Sequence, residues 1–412
     1  MKKFVLAVFF DHKLEIGGNF QQSLTNILLA KKLISNEIEV IAITTVKENL
    51  KVLKNYGLKS YFYNPNFFSL LFMRLREMSS ELVYKFISLF LKKNNLEKFL
   101  EDKEVDLIYF VSQSRYASYV HSINYIFTLF DLCHSDYPEF PEKRKNRSFE
   151  FLENHFKKNL PRAIAILVES SLGKKNVISK YRLNETRVHI FPMGPATIIN
   201  SLNYDKDGNL DKTNIDIKKK YNLTSDYIFY PAQFWAHKNH IYILEALNIL
   251  KKDKSLSMSA IFSGSDMGNL SYIKSMTKIM NLEDRVRFAG FVSDKELVSL
   301  YLQSVALVMP TYFGPTNIPP LEAFKLKVPV IYSDLLGSKE QAGKAALYLD
   351  LNDPQSLVLN LKMLLNSKHL REELINEGQL RLKELKLEKN NLDILKDIIK
   401  NFRSIKHTWK ND

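Results

Sequence analysis

The sequence predicts an α/β protein made of two similar halves, each built around a parallel sheet. Three observations carry this expectation. Short apolar runs rich in Val, Ile and Phe alternate with helical patterns in both halves. Several of these runs stop at Gly, Pro, Asp or Ser, residues that punctuate strand ends. The length of 412 residues suits two domains.

The elements follow in order. Residues 4–10 and 38–44 read as buried strands, separated by Gly17-Gly18 and a helical pattern through Leu24, Ile27, Leu28 and Leu33. Further strands are expected at 105–110, 126–130, 163–168 and 188–191, the last before Pro192-Met193-Gly194-Pro195. Residues 200–221 are polar without an apolar period and read as a surface loop connecting the domains. The second series has strands at 227–230, 258–262, 286–288, 306–309 and 328–332, with helices at 241–250 and 297–302. Residues 369–409 read as charged and helical, with Leu374, Leu380, Leu385, Leu392, Leu395 and Ile399 available for packing. The expected organisation is an N-terminal domain over 1–198, a connection over 199–222, a second domain over 223–390 and a final segment over 391–412. Ligands of such sheets bind beyond the carboxyl ends of the strands. With two such domains the cleft between them is the expected active site.

Composition narrows the classes. Hydrophobic residues at 45% and charged residues at 25% are ordinary for globular chains. The single cysteine, Cys133, excludes an intramolecular disulfide and a multi-cysteine metal site, and suits a reducing compartment. Met1-Lys2-Lys3 ahead of seven apolar residues imitates a signal peptide, but Asp11-His12-Lys13 replaces a small-residue cleavage site. No apolar stretch reaches the length of a spanning helix. The expected location is therefore the cytoplasm.

The net charge of +14 calls for an anionic partner, whether nucleic acid, membrane lipid or a phosphorylated small molecule. No recognition-helix motif or zinc site supports specific nucleic-acid binding. Residues 67–91 combine an aromatic stripe with Arg74, Arg76 and Lys85, and Lys92 and Lys93 follow. Such a helix either lies on an anionic membrane at its inner face or packs on its own sheet.

Three stretches concentrate polar chemistry. Pro310–Ser333 leaves a strand, passes Gly314-Pro315 and Pro319-Pro320, and starts a helix at Leu321-Glu322-Ala323-Phe324. A helix start presents free N–H groups to a phosphate or sugar hydroxyl. Glu322 either accepts from a pair of hydroxyls or is simply a favourable first-turn acid. Tyr230–His240 joins a strand end to a helix. Lys238 there suits a phosphate and Asn239 a helix cap. His237 and His240 lack a third metal ligand nearby. Phe130–Phe140 places Asp131 and His134 just past a strand, where a His–Asp pair either serves in catalysis or is a structural hydrogen-bonding group. No serine-nucleophile elbow, P-loop or dinucleotide fingerprint occurs.

Together PAQFWAHKNH and PTYFGPTNIPPLEAF…VPVI, with GGN and DLCHSDYPEF in support, resemble the retaining glycosyltransferases of the GT-B fold. That group includes bacterial mannosyl- and glucosyltransferases of O-antigen and surface-polysaccharide assembly. The resemblance implies two Rossmann-like domains facing a central cleft, a donor-binding second domain, an acceptor-binding first domain and a last helix crossing back to the first. It implies that Glu322 binds the ribose hydroxyls and Lys238 the donor diphosphate. Gly17, Gly18, Gln233, Asn239, Gly264 and the loop Gly314, Pro315, Thr316, Asn317 and Ile318 would complete the donor site. Asn19, Asp131 and His134 would lie on the acceptor side, with His134 near the reacting sugar and Asp131 its support.

Two departures stand out. The first glutamate of the family's paired pattern is replaced by Gly314, and the usual arginine is missing from Gln233-Phe234-Trp235-Ala236. The implied donor is a UDP- or GDP-sugar, with mannose the best candidate and no essential metal. The implied acceptor is a glycan, lipid-linked by preference, approached at the membrane surface. Within the same architecture a sugar-nucleotide epimerase or a phosphorylase is the alternative. A basic nucleic-acid-binding protein is the alternative of another class.

Overall fold

The computed structural model describes residues 2–14, 18–67, 70, 95–200, 202, 215–253 and 256–409. The proposed membrane segment therefore lies almost wholly outside the described residues, as does Gly17. Two compact units are present. The first comprises Met1–Glu139, Lys143–Pro192 and Leu387–Asp412; the second comprises Phe140–Glu142 and Met193–Lys386.

The first unit holds a seven-stranded parallel sheet. Its strands are β1 (Phe4–Phe10), β2 (Ile38–Thr44), β3 (Ser60–Phe62), β4 (Leu107–Phe110), β5 (Asn124–Leu129), β6 (Ala165–Val168) and β7 (Val188–Ile190), in the order β3-β2-β1-β4-β5-β6-β7. β1 is apolar throughout because both its faces are covered. Val5, Ala7 and Phe9 enter one core, and Phe4, Leu6, Val8 and Phe10 enter the other. Its principal helices are α1 (Gly18–Lys31), α2 (Asn49–Asn55), α3 (Asn95–Asp102), α4 (Ser148–Asn159) and α5 (Ser171–Tyr181). The C-terminal helix, Leu387–Lys406, adds Leu395, Ile399 and Phe402 to the core around Phe4. Phe402 meets Phe4 edge-on with ring centroids 6.2 Å apart.

The second unit holds a six-stranded parallel sheet. It contains β8 (Asp226–Pro231), β9 (Met258–Ser263), β10 (Val286–Gly290), β11 (Leu307–Met309), β12 (Val330–Ser333) and β13 (Ala346–Leu349), in the order β10-β9-β8-β11-β12-β13. The helices are α6 (His240–Asp253), α7 (Leu270–Ile279), α8 (Asp294–Leu302), α9 (Ile318–Lys325), α10 (Leu336–Ala342), α11 (Gln355–Asn366) and α12 (Lys368–Leu385). The helical tail expected over 369–409 is two helices, parted at Lys386, whose φ of 40° is left-handed.

Three local expectations need correction. β3 and β13 have no counterpart in the sequence reading, because both are short edge strands with partly exposed residues. Residues 203–214 of the expected connection are outside the described residues. Beyond them a helical turn, Ile217–Lys220, is capped by Asp216 and buries Ile217. Finally, α9 begins at Ile318 rather than Leu321, with Pro319 and Pro320 inside its first turn. The first-turn N–H groups have no intrahelical acceptor, so proline costs little there.

Candidate functional site

In the second unit the strand order reverses between β8 and β11. At such a switch point neighbouring loops diverge and leave room for a ligand beyond the strand ends. The loops that leave these strands, 232–239 and 310–317, are two of the sequence-predicted stretches. They are tied together by hydrogen bonds. The Tyr312 N–H donates to the His237 carbonyl at 2.9 Å, and Thr311 Oγ1 donates to the same oxygen at 3.3 Å. Lys238 Nζ donates to Asn317 Oδ1 at 3.0 Å. Two predicted donor-side residues from separate loops thus meet directly.

Glu322 lies in the second turn of α9, so the first-turn-acid reading does not hold. It is 5% exposed. The Tyr301 hydroxyl, from α8, donates to Glu322 Oε2 at 2.7 Å, and the Ala196 backbone N–H donates to the same carboxylate. Burial pushes its pKa up to about 7, while these two donors act in the opposite direction. Glu322 is therefore an enclosed carboxylate held by two neutral donors.

His237 is held from a remote part of the chain. Its Nδ1 lies 2.5 Å from Glu142 Oε1, and its backbone N–H donates to the same oxygen at 3.3 Å. Burial works against the Glu142 charge, but His237 together with the Glu142 backbone N–H outweighs it and holds the carboxyl below its ordinary pKa. Phe140 packs its ring on His237 and Tyr312, at 6.0 and 5.9 Å. His240 plays a different part. Fully buried, it stacks on Phe234 at 4.4 Å, and burial lowers its pKa to about 3. Among the described residues no group of three or more His, Cys, Asp or Glu side chains is placed to hold a metal.

Gln233 Oε1 accepts from the Trp235 indole N–H at 3.1 Å. Asn239 is not the expected side-chain cap, since its φ of 55° is left-handed whereas an N-cap needs extended backbone. The Gly264 N–H donates to the Gly290 carbonyl at 2.9 Å. Gly314 has φ 126°, and a Cβ there would lie 2.5 Å from Asn317 Nδ2. A glutamate at this position would be strained for both reasons. Pro315 and Thr316 lead to Asn317, the residue before α9, and Ile318 is buried. Gly337 opens α10 against this loop, where a Cβ would fall 2.6 Å from the Pro315 carbonyl oxygen.

The acceptor-side candidates belong to the first unit. Asn19, beside the donor-side candidate Gly18, lies at the start of α1, and its side chain is outside the described residues. His134 has 0% exposure and packs against Phe149 and Phe156. Its Nε2 lies 3.1 Å from Glu153 Oε2, and burial lowers its pKa. Asp131 is not its hydrogen-bonding support. Asp131 Oδ1 accepts from the Cys133 N–H at 2.9 Å instead, because the turn after β5 directs that carboxylate to its own backbone. Glu153, Glu142, Tyr301, Tyr332 and Gln341 were not singled out by sequence reasoning. Tyr332 stands within Pro310–Ser333 as a strand residue; the other four lie outside the stretches they support, and the fold brings them there.

Comparisons with known proteins agree with this architecture. A solved structure of Anabaena HepE in complex with UDP and glucose superposes with a TM-score of 0.71 at 13% identity, covering 97% of this chain and 100% of that one. The architecture is thus the GT-B fold, two Rossmann-like domains each with a parallel sheet. More particularly, residues 211–381 match the family model described as glycosyl transferases group 1. O-antigen chain mannosyltransferase B of Escherichia coli is 23% identical over 255 residues, 60% of this chain and 62% of that protein. O-antigen chain mannosyltransferase RfbU of Salmonella typhimurium is 28% identical over 220 residues, 52% of this chain and 55% of that protein. The matched stretch thus spans little more than half the length of these relatives.

Proposed function

We propose that this protein is a retaining glycosyltransferase that moves a hexose, best mannose, from a UDP- or GDP-sugar to a glycan acceptor. The observation that carries the proposal is the Lys238–Asn317 hydrogen bond at the β8/β11 switch point, with Glu322 buried on the helix that follows Asn317. The family match over the same residues, and the mannosyltransferase relatives, support it. Glu322 would accept from the ribose hydroxyl pair, and Lys238 would face the diphosphate. Gln233, Asn239, Gly264 and the 314–318 loop would complete the donor site within the second unit.

In the reaction the bond from the anomeric carbon to the diphosphate oxygen breaks, and the acceptor hydroxyl oxygen bonds to that carbon on the same face. The acceptor proton passes to the departing diphosphate. The fixed charge of Lys238 and the amides at helix starts would stabilise the leaving diphosphate. The acceptor is proposed to be a lipid-linked glycan in cell-surface polysaccharide synthesis. The exposed cations Arg144, Lys145 and Arg147 suit contact with the inner face of an anionic membrane. Among the described residues no helix is long and apolar enough to cross a membrane.

A thermal-shift screen of nucleotide-sugars against UDP and GDP alone, followed by transfer assays with labelled donor, tests this. One donor should stabilise the protein saturably. Glu322→Ala and Lys238→Ala should each lower transfer by about 100-fold or more. Unchanged transfer in both variants overturns the site assignment, and an inverted product anomer overturns retention.

A further inference from the structure

Asn317 is held with unusual completeness. Gln341, from α10, grips its backbone on both sides. Gln341 Oε1 accepts from the Asn317 N–H at 3.1 Å, and Gln341 Nε2 donates to the Asn317 carbonyl at 2.7 Å. The Asn317 side-chain amide is held as well. Its Nδ2 donates to the Tyr332 hydroxyl at 2.7 Å, and that hydroxyl donates onward to Gln341 Oε1 at 3.2 Å. Asn317, Tyr332 and Gln341 are all buried.

The consequence lies at the other end of the amide. An asparagine side chain has one donor end and one acceptor end. With its donor end committed to Tyr332, the acceptor end must face away, and Asn317 Oδ1 lies 3.0 Å from Lys238 Nζ. Reversing the amide would set an NH2 group against an ammonium, two donors facing each other. Gln341 is itself anchored, because Arg381 from α12 donates to its carbonyl through Nε at 3.0 Å. The relay thus runs from α12 through α10 and β12 to the loop after β8.

We propose that Gln341 and Tyr332 are positioning residues that fix the orientation of the Asn317 amide and thereby set the Lys238 ammonium for a ligand's diphosphate. The proposal rests on the reading of Lys238 as the diphosphate contact. An ammonium has three donors, so a phosphate oxygen can be engaged without giving up the bond to Asn317. The lysine side chain has much rotamer freedom to lose, and holding it beforehand reduces what binding must order.

The test is isothermal titration of the full chain with UDP, GDP, uridine and guanosine. Wild type is compared with Lys238→Ala, Tyr332→Phe and Gln341→Leu, and thermal melting checks each fold. Tyr332→Phe deletes one hydroxyl and is the variant least disruptive to packing. It should weaken the diphosphate form about 5- to 10-fold while leaving the matching nucleoside unchanged. Gln341→Leu should show the same selective loss, larger in size. A general loosening of the site would weaken nucleoside and diphosphate alike, and that result overturns the proposal. So does diphosphate affinity unchanged or tightened in Tyr332→Phe while Lys238→Ala loses it. If Lys238→Ala itself binds diphosphate as well as wild type, the underlying reading of Lys238 fails, and the positioning role with it.

Discussion

Two enclosed glutamates, one in each unit, have opposite electrostatic settings. Glu153 in the first unit has a pKa lowered to about 2. Burial would raise it, but Lys180 at 3.0 Å, His134 at 3.1 Å and Lys157 at 3.2 Å outweigh that effect. Glu322 in the second unit has only the Tyr301 hydroxyl and the Ala196 N–H named against burial, and its pKa rises to about 7. A carboxylate set between two lysines is already compensated, and with His134 it links α4 to α5 and to the turn after β5. One met by neutral donors gains when hydroxyl donors from outside arrive to share its charge. The comparison therefore separates an acid paired with charged groups from one met by neutral donors, the one proposed above to bind ligand, although both are sheltered.

The largest expected effect that tests this contrast is in Glu322→Gln. The folded-state pKa of Glu322 lies above its ordinary 4.5. The native state therefore holds the extra proton, and stability falls as pH rises from 4.5 through about 7. The full shift corresponds to about 3 kcal/mol. Glu322→Gln should thus be more stable than wild type at pH 8 by up to about 3 kcal/mol and close to it at pH 4, in urea melts. A variant less stable than wild type at pH 8 would break the contrast.

Glu153→Gln should behave in the opposite sense. Its folded pKa is depressed, so its contribution is present above pH 4.5 and is lost as pH falls toward 2. The variant should cost about 2 kcal/mol at pH 7 by chemical denaturation, and less under acid. Gly337→Ala probes the frame around the donor-side loop. The new methyl would press on the Pro315 carbonyl, which can yield only by moving the loop. A loss of about 1–2 kcal/mol is expected, with weaker binding of UDP or GDP in titration. The smallest effect is expected in Tyr301→Phe, which removes one donor from Glu322 and raises its pKa further. It should cost about 1 kcal/mol at pH 8 and little at pH 5.

Much of the fold was legible because continuous apolar runs mark strands covered on both faces. β1 and β2 coincide with the expected 4–10 and 38–44. β3 and β13 were not, since a short edge strand need not be apolar. The helix start at Ile318 was hidden by two prolines that resemble a break. In the site, Lys238, Asn317 and Glu322 stand in recognisable loops. Tyr301 fell within the helix expected over 297–302, and Gln341 lay outside every element and stretch that the sequence marked. His134 shows the converse. Its place after β5 suggested a reactive pair with Asp131, yet its hydrogen-bonding carboxylate is Glu153, nineteen positions away on α4.

The C-terminal helix gives the first unit a chronology. The core around Phe4 contains Leu395, Ile399 and Phe402, which are made roughly 390 residues later. At ribosomal speeds of roughly 5–20 residues per second, that interval is on the order of 20–80 s. Every residue of the second unit is synthesised before Leu387, so that unit can mature first. Meanwhile β1 waits with one face incompletely covered. Until Leu395, Ile399 and Phe402 have been made, that face of β1 lacks part of its apolar cover.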